Sequence, residues 1–252
     1  MNLLLQSAEK RAALTEEAGG RIAPSPSFST PPERLLLATC LALLALAAFL
    51  AYTFDDPLLR LLHRATNFEN AVFWRGISWF GSGLALTPVV SAIVLVLVWQ
   101  NQTRSALALA FGWAATSLTV ELLKWLLDRG RPPVTPWTLA RGDAFPSGHA
   151  ALSLYVFLYF ALSILSSESW QASPGRILRA AGLILLASVP VAVGLSRVVL
   201  GVHWPSDVAA GWAVGLFFCA LARVIQEDKR GSQPDDDANG SESEPRAPAS
   251  GG

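Results

Sequence analysis

From Leu35 to Phe54 the chain runs for twenty residues without a charge. At 1.5 Å per residue, a helix of that length crosses about 30 Å of hydrocarbon. Five more apolar stretches follow: Gly76 to Trp99, Ser105 to about Leu127, Ala150 to Ser167, Ala180 to Ser196, and Val208 to Ala222, extendable to Gln226. Backbone amides in hydrocarbon must pair within their own segment, so stretches of this kind are helices. The expected fold class is therefore all-α, an integral membrane bundle of six transmembrane helices with a short interfacial helix between the first two. That short helix is read from Asp55 or Asp56 followed by Pro57, a helix-start signal. Leu58, Leu61, Leu62, Ala65 and Phe68 then fall at helical spacing opposite Arg60, Arg64 and Glu69.

Composition supports the bilayer reading. The 252 residues are 52% hydrophobic and 15% charged, where soluble domains carry about 25% charged residues. A formal net charge of zero supplies no basic patch for nucleic acid. Cys40 and Cys219 each lie inside an apolar run and read as small hydrophobes, without a disulfide framework or metal site. Residues 1–34 read as a cytoplasmic tail, disordered or partly helical, and residues 35–226 as the membrane domain. Residues 227–252 form an acidic, Ser/Pro/Gly-rich tail expected to be disordered. Gly81, Gly83, Gly211 and Gly215 are expected close-packing points, and Pro88 an expected kink.

Six spans put both termini on one side, together with the loops after spans two and four. Eleven of the nineteen Lys and Arg residues then share that side, so the positive-inside rule favours cytoplasmic termini. The motif-bearing ends of spans three to six converge on the other side.

Three constellations lie there. Lys124 and Arg131 are seven residues apart, two helical turns, and are expected on one face until Pro132 stops the helix. Read blandly, these cations snorkel to the headgroups. At the start of span four, Phe145-Pro146-Ser147-Gly148-His149 offers Ser147 as a helix cap and Gly148 as a point where an oxyanion approaches backbone N–H groups. The bland alternative is a capped helix with an interfacial histidine. In Ser196 to Asp207, Arg197 places a permanent cation six residues before His203. Asp207 lies one helical turn beyond His203, with Pro205 suited to the first turn. Its bland alternative is a turn with a hydrogen-bonded histidine. Cation, imidazole and carboxylate together suit phosphate chemistry, and three coincidences on one membrane face are improbable.

Lys124, six residues, then Arg131-Pro132; Pro146-Ser147-Gly148-His149; and Ser196-Arg197, five residues, His203, three residues, Asp207 match a three-part signature in order and spacing. In these residues the chain resembles the type 2 phosphatidic acid phosphatase and vanadium haloperoxidase superfamily. It is most similar to the bacterial six-span lipid phosphatases that act on undecaprenyl diphosphate or phosphatidylglycerol phosphate. The resemblance covers roughly Leu35 to Gln226. It implies His203 as the nucleophile that becomes a phosphohistidine, Asp207 as the holder of its tautomer, and His149 as the acid and then the base. It also implies that Lys124, Arg131, Ser147, Gly148 and Arg197 hold the phosphoryl oxygens. The resemblance implies an outer-leaflet site in a bacterial cytoplasmic membrane, facing the periplasm or exterior.

Phosphoryl transfer needs positioning and a cationic clamp, and three fixed cations can replace a metal. No cofactor and no metal are expected, because no carboxylate pair suited to Mg²⁺ is evident. The expected partners are a lipid phosphate substrate and the bilayer, with the oligomeric state open. Two alternatives are a lipid phosphotransferase using the same intermediate and a non-catalytic phospholipid-binding membrane protein. The latter has no need of both histidines and Asp207. The charged groups sit at span ends and not at the midplane, which disfavours a transporter.

Overall fold

The computed structural model describes residues 32–165 and 176–227, and every regular element among them is a helix. In chain order these are α1 (Pro32–Arg64), α2 (Phe68–Trp79), α3 (Gly83–Trp99), α4 (Thr103–Leu127), α5 (Gly148–Leu165), α6 (Arg176–Val199) and α7 (Pro205–Glu227). Five segments among the described residues are long and apolar enough to cross a bilayer: Phe68–Trp99, Thr103–Leu127, Gly148–Leu165, Ala180–Val199 and Pro205–Gln226. The expected first span is the N-terminal part of α1, and many of its side chains lie outside the described residues. Most of both expected tails lies outside them too.

The separate interfacial helix expected after Asp55 or Asp56 is not found: α1 continues through Pro57 to Arg64. The physical reason is anchoring on both sides of the proline. Asp55 and Leu59 are both buried, and Asp55 is ion-paired to Arg129 and hydrogen-bonded to Ser206. Tertiary contacts therefore hold the chain helical across the one missing N–H.

A second difference concerns the span expected from Gly76. Helix breaks at Phe80–Ser82, where Ser82 caps α3 by accepting from the Ala85 N–H. Gly81 sits in that break. A Cβ there would lie 2.3 Å from Val193 Cγ1 and 3.0 Å from the His149 carbonyl oxygen, so the break brings the α2–α3 corner against α5 and α6. Gly83 faces open space and serves no such contact.

Helix α5 lies at the centre of the bundle. On one side it meets α7 through the expected glycine pair: a Cβ on Gly211 would stand 2.4 Å from the Ser147 carbonyl oxygen, and one on Gly215 the same distance from that of Ala151. Two helices can approach this closely only where side chains are absent. On the other side the buried Tyr155 lies over Gly112 of α4, its hydroxyl 3.1 and 3.0 Å from the carbonyls of Ala108 and Leu109. Polar side chains thus tie α4 to α5 where apolar contact alone gives little drive in lipid. Between α1, α6 and α7 lies a largely apolar cavity of about 460 Å³, bordered by Leu58, Leu195, Val198 and Trp212 and by Asp55 and Ser206 at its polar edge.

Candidate active site

The site gathers at one end of the bundle, where the loop from Asp128 to Ser147 meets the turn between α6 and α7. Helix α4 stops earlier than Pro132 suggested. Asp128 is left-handed, with φ of 42°, and ends the helix at Leu127. Arg131 consequently does not share a helical face with Lys124. The chain leaves the helix because Arg129 is drawn to Asp55 and Asp207, each at 2.7 Å.

Arg131 reaches the same region from the loop. Its guanidinium donates to the carbonyls of Gly142, Val202, Arg141 and Asp143 at 3.0, 2.5, 2.8 and 3.4 Å. It therefore clamps the loop onto the α6–α7 turn. Lys124 pairs with Glu121 at 2.7 Å, and its side chain is only 20% exposed. Its ammonium lies 4.0 Å from where a Gly148 Cβ would stand, so it faces the first turn of α5 and is not directed to solvent as a snorkelling lysine is.

Ser147 does not cap α5 with its hydroxyl. Its backbone N–H donates to the Asp207 carbonyl at 2.9 Å, which joins the start of α5 to that of α7. The Ser147 hydroxyl is buried with no partner, and so is the Nε of Arg197. Arg197 is 5% exposed, and its Nη1 donates to Ser78 Oγ of α2 at 2.5 Å. Buried donors without partners cost free energy unless an acceptor is supplied. An anion that reached each would satisfy both, and the free N–H groups at the start of α5 favour negative charge there. His149, in that same turn, is partly buried, and its carbonyl packs against Gly81.

Helix α6 ends at Val199, and Gly201, with φ of 72°, turns the chain toward His203. A Cβ at that φ would be strained, and it would also stand 2.9 Å from His63 and Val134. His203 is 3% exposed. Its Nδ1 lies 2.7 Å from the Ala144 carbonyl oxygen, whereas Asp207 Oδ2 is 3.5 Å away. A carbonyl can only accept, so Nδ1 carries the proton and the Nε2 lone pair is left free. The expected carboxylate–imidazole hydrogen bond is thus replaced by a backbone carbonyl, with the carboxylate just behind it. Burial, then the nearby Arg197 and Arg131 cations, hold His203 well below the ordinary imidazole value of 6.5. It is neutral at physiological pH, as a nucleophile must be.

The carboxylate of Asp207 is fully buried and employed elsewhere. Oδ2 accepts from the Trp204 N–H at 2.8 Å, and Oδ1 accepts from Arg129 Nη1 at 2.7 Å. Pro205 begins α7 as expected. Sequence reasoning missed Arg129, Asp55, Ser206 and Ser78. Arg129 belongs to none of the three constellations, and Asp55 reads as a helix start. Only a buried aspartate in a long apolar segment, costly unless paired, could have flagged the second.

Residues 105–230 match the family model described as PAP2 superfamily. The chain is 26% identical over 152 residues to the phosphatidylglycerophosphatase B of Bacillus subtilis, covering 60% of this chain and 73% of that protein. It is 31% identical over 156 residues to the decaprenylphosphoryl-5-phosphoribose phosphatase of Mycobacterium tuberculosis, covering 60% and 77%. The fold is similar to the crystal structure of a transmembrane PAP2-type phosphatidylglycerolphosphate phosphatase from Bacillus subtilis. That match has a TM-score of 0.67 at 22% identity and covers 80% of this chain and 98% of that one. With half of its length matching the family model, and a bundle that brings all three motifs to one end, the chain belongs to the PAP2 superfamily.

Proposed function

We propose that the chain hydrolyses the phosphomonoester or diphosphate of a membrane lipid through a phosphohistidine on His203. The observation that carries this reading is the neutral, buried His203 with its Nδ1–H given to Ala144, set beside buried, unpartnered donors on Ser147 and Arg197. Nε2 attacks the terminal phosphorus as its bond to the ester oxygen, or to the bridging oxygen of a diphosphate, breaks, and His149 protonates the departing oxygen. The imidazole becomes cationic on phosphorylation, and Asp207, 3.5 Å from Nδ1, stabilises that charge. His149 then takes a proton from the water that cleaves the N–P bond. Lys124, Arg197, Ser147 and the Gly148 N–H hold the phosphoryl oxygens, with Arg131 completing the clamp from the loop. These cations supply the charge that a metal supplies elsewhere.

The relatives' names differ in the lipid and agree in the phosphoryl group it carries, in accord with a site whose residues all address phosphorus. In this reading residues 35–226 form six spans, α1 providing the first, with residues 1–34 and 227–252 as tails on the cytoplasmic side. The site then faces the periplasm or exterior of a bacterial cytoplasmic membrane. The test is phosphate release by purified protein in detergent, with a chelator present, from phosphatidylglycerol phosphate, phosphatidic acid and undecaprenyl diphosphate. Release from at least one, absent in His203→Ala, is the expected outcome. Equal release by His203→Ala, or none from any substrate with wild type, refutes the proposal.

A further inference from the structure

We infer that Asp55 of α1 and Arg129 of the α4–α5 loop are positioning residues for the nucleophile, acting through Asp207 and the first turn of α7. The inference rests on the phosphohistidine reading above and extends it to a helix outside the family match, which begins at residue 105.

The argument starts from the helix end. Helix α7 begins at Pro205, so Trp204 occupies its cap position and has no side-chain oxygen to offer the first N–H groups. Two carboxylates do that work. Asp207, in the third position, reaches back to the Trp204 N–H at 2.8 Å, as the acidic member of a capping box does. Asp55 reaches across from α1 and accepts the Ser206 N–H at 2.9 Å and the Ser206 hydroxyl at 2.5 Å. His203 precedes Trp204 directly, so fixing that N–H fixes the backbone that carries the imidazole.

Two buried carboxylates side by side repel each other unless a cation lies between them. Arg129 is that cation. Its Nη2 donates to Asp55 Oδ2 and its Nη1 to Asp207 Oδ1, each at 2.7 Å, with Ser206 Oγ also 2.7 Å from Nη1. The guanidinium also lies over the Trp204 ring, 5.5 Å from its centroid, and the indole Nε1 donates to the Gly130 carbonyl. The backbone of Arg129 continues the chain of contacts: its carbonyl accepts the Ala144 N–H at 2.8 Å, and the Ala144 carbonyl accepts the proton of His203 Nδ1. One residue therefore reaches the nucleophile by two routes, through Asp207 and through Ala144. Both of its Nη groups are bound to Asp55, Ser206 and Asp207, and through Asp207 they reach the Trp204 N–H beside the nucleophile.

The experiment is a kinetic double-mutant cycle on the purified full chain with a hydrolysed lipid phosphate, comparing wild type, Arg129→Met, Asp207→Asn and the double variant. Asp55→Asn and Arg129→Lys run alongside, and gel filtration reports folding. Arg129→Met is expected to lower kcat by about ten- to a hundredfold, by analogy with partners that orient a metal-ligating histidine, with KM within twofold. The double variant is expected to be no slower than Asp207→Asn alone, because the Arg129 side chain acts through that carboxylate while its backbone carbonyl, kept in the variant, still holds Ala144. Asp55→Asn and Arg129→Lys, which keep the shape or the charge, are expected to fall between wild type and Arg129→Met. These two keep the test alive if Arg129→Met does not fold. A rise in KM without loss of kcat makes Arg129 a phosphate ligand and overturns the proposal. So do losses that multiply in the double variant, or variants as fast as wild type. An inactive wild type refutes the phosphatase reading itself and is distinguishable from all of these.

Discussion

Replacing Asp207 by Asn exchanges one carboxylate oxygen for an NH₂ group in a position with no exposure to solvent. Both oxygens of the native side chain accept: one from the Trp204 N–H, the other from Arg129. An amide has a single oxygen, so in either orientation its NH₂ faces another donor. Breaking one member out of a buried charged pair costs about 3–5 kcal/mol. Arg129 keeps Asp55 and is 31% exposed, so water and a second carboxylate offset part of the loss. The expected cost is at the low end, about 3 kcal/mol, or roughly a hundredfold in the unfolding equilibrium. Unfolding in mixed micelles with increasing dodecyl sulfate, followed by tryptophan fluorescence, measures it. Asp207→Asn in an Arg129→Met background is expected to cost clearly less, since one of the opposed donors is gone. A variant within about 0.5 kcal/mol of wild type, the range of an uninvolved surface position, refutes the reasoning. It would show that the amide finds partners or that the network is open to water.

The two histidines are expected to separate kinetically. With a lipid-like aryl phosphate bearing a low-pKa phenol, His149→Ala is expected to release a burst near one equivalent of phenol and then turn over slowly, because the acid is dispensable and the base is not. His203→Ala is expected to show no burst, and the reverse pattern exchanges the roles. For pH, His203 is held well below 6.5 in the folded protein and titrates near 6.5 when unfolded. The unfolded chain binds the extra proton, so this residue's contribution to stability is full above about 6.5 and falls by up to about 1.4 kcal/mol per unit as pH drops toward the folded value. His203→Gln is expected to flatten the stability profile between pH 7 and 5, and an unchanged slope contradicts the assignment. For topology, Leu139 in the α4–α5 loop is 95% exposed. A cysteine there, with Cys40 and Cys219 replaced, is expected to react with an impermeant thiol reagent on intact cells, and labelling only after lysis inverts the orientation.

Local rules sufficed for much of this protein. The apolar stretches announce helices because a bilayer leaves the backbone no other partner, and α4 to α7 lie where the sequence places them, within a few residues. Pro205 opens α7 and the Gly211–Gly215 pair seats α5 by rules written in single residues. The motif residues were legible as a set, since cation, imidazole and carboxylate spacing survives without knowledge of the fold. What the sequence could not decide were the contacts between segments distant along it. Pro57 reads as a helix start, and only burial of Asp55 and Leu59 on both sides of it makes the helix continue. Pro132 reads as the stop for α4, yet Arg129 is pulled away from the helix first, by carboxylates 74 and 78 residues distant. The resemblance implies Asp207 as the holder of the His203 tautomer, but a loop carbonyl 59 residues away lies at closer range. Periodicity ranks neighbours along one helix, whereas a buried charge or proton takes whichever partner the packed bundle brings within 3 Å, and that choice belongs to the tertiary structure.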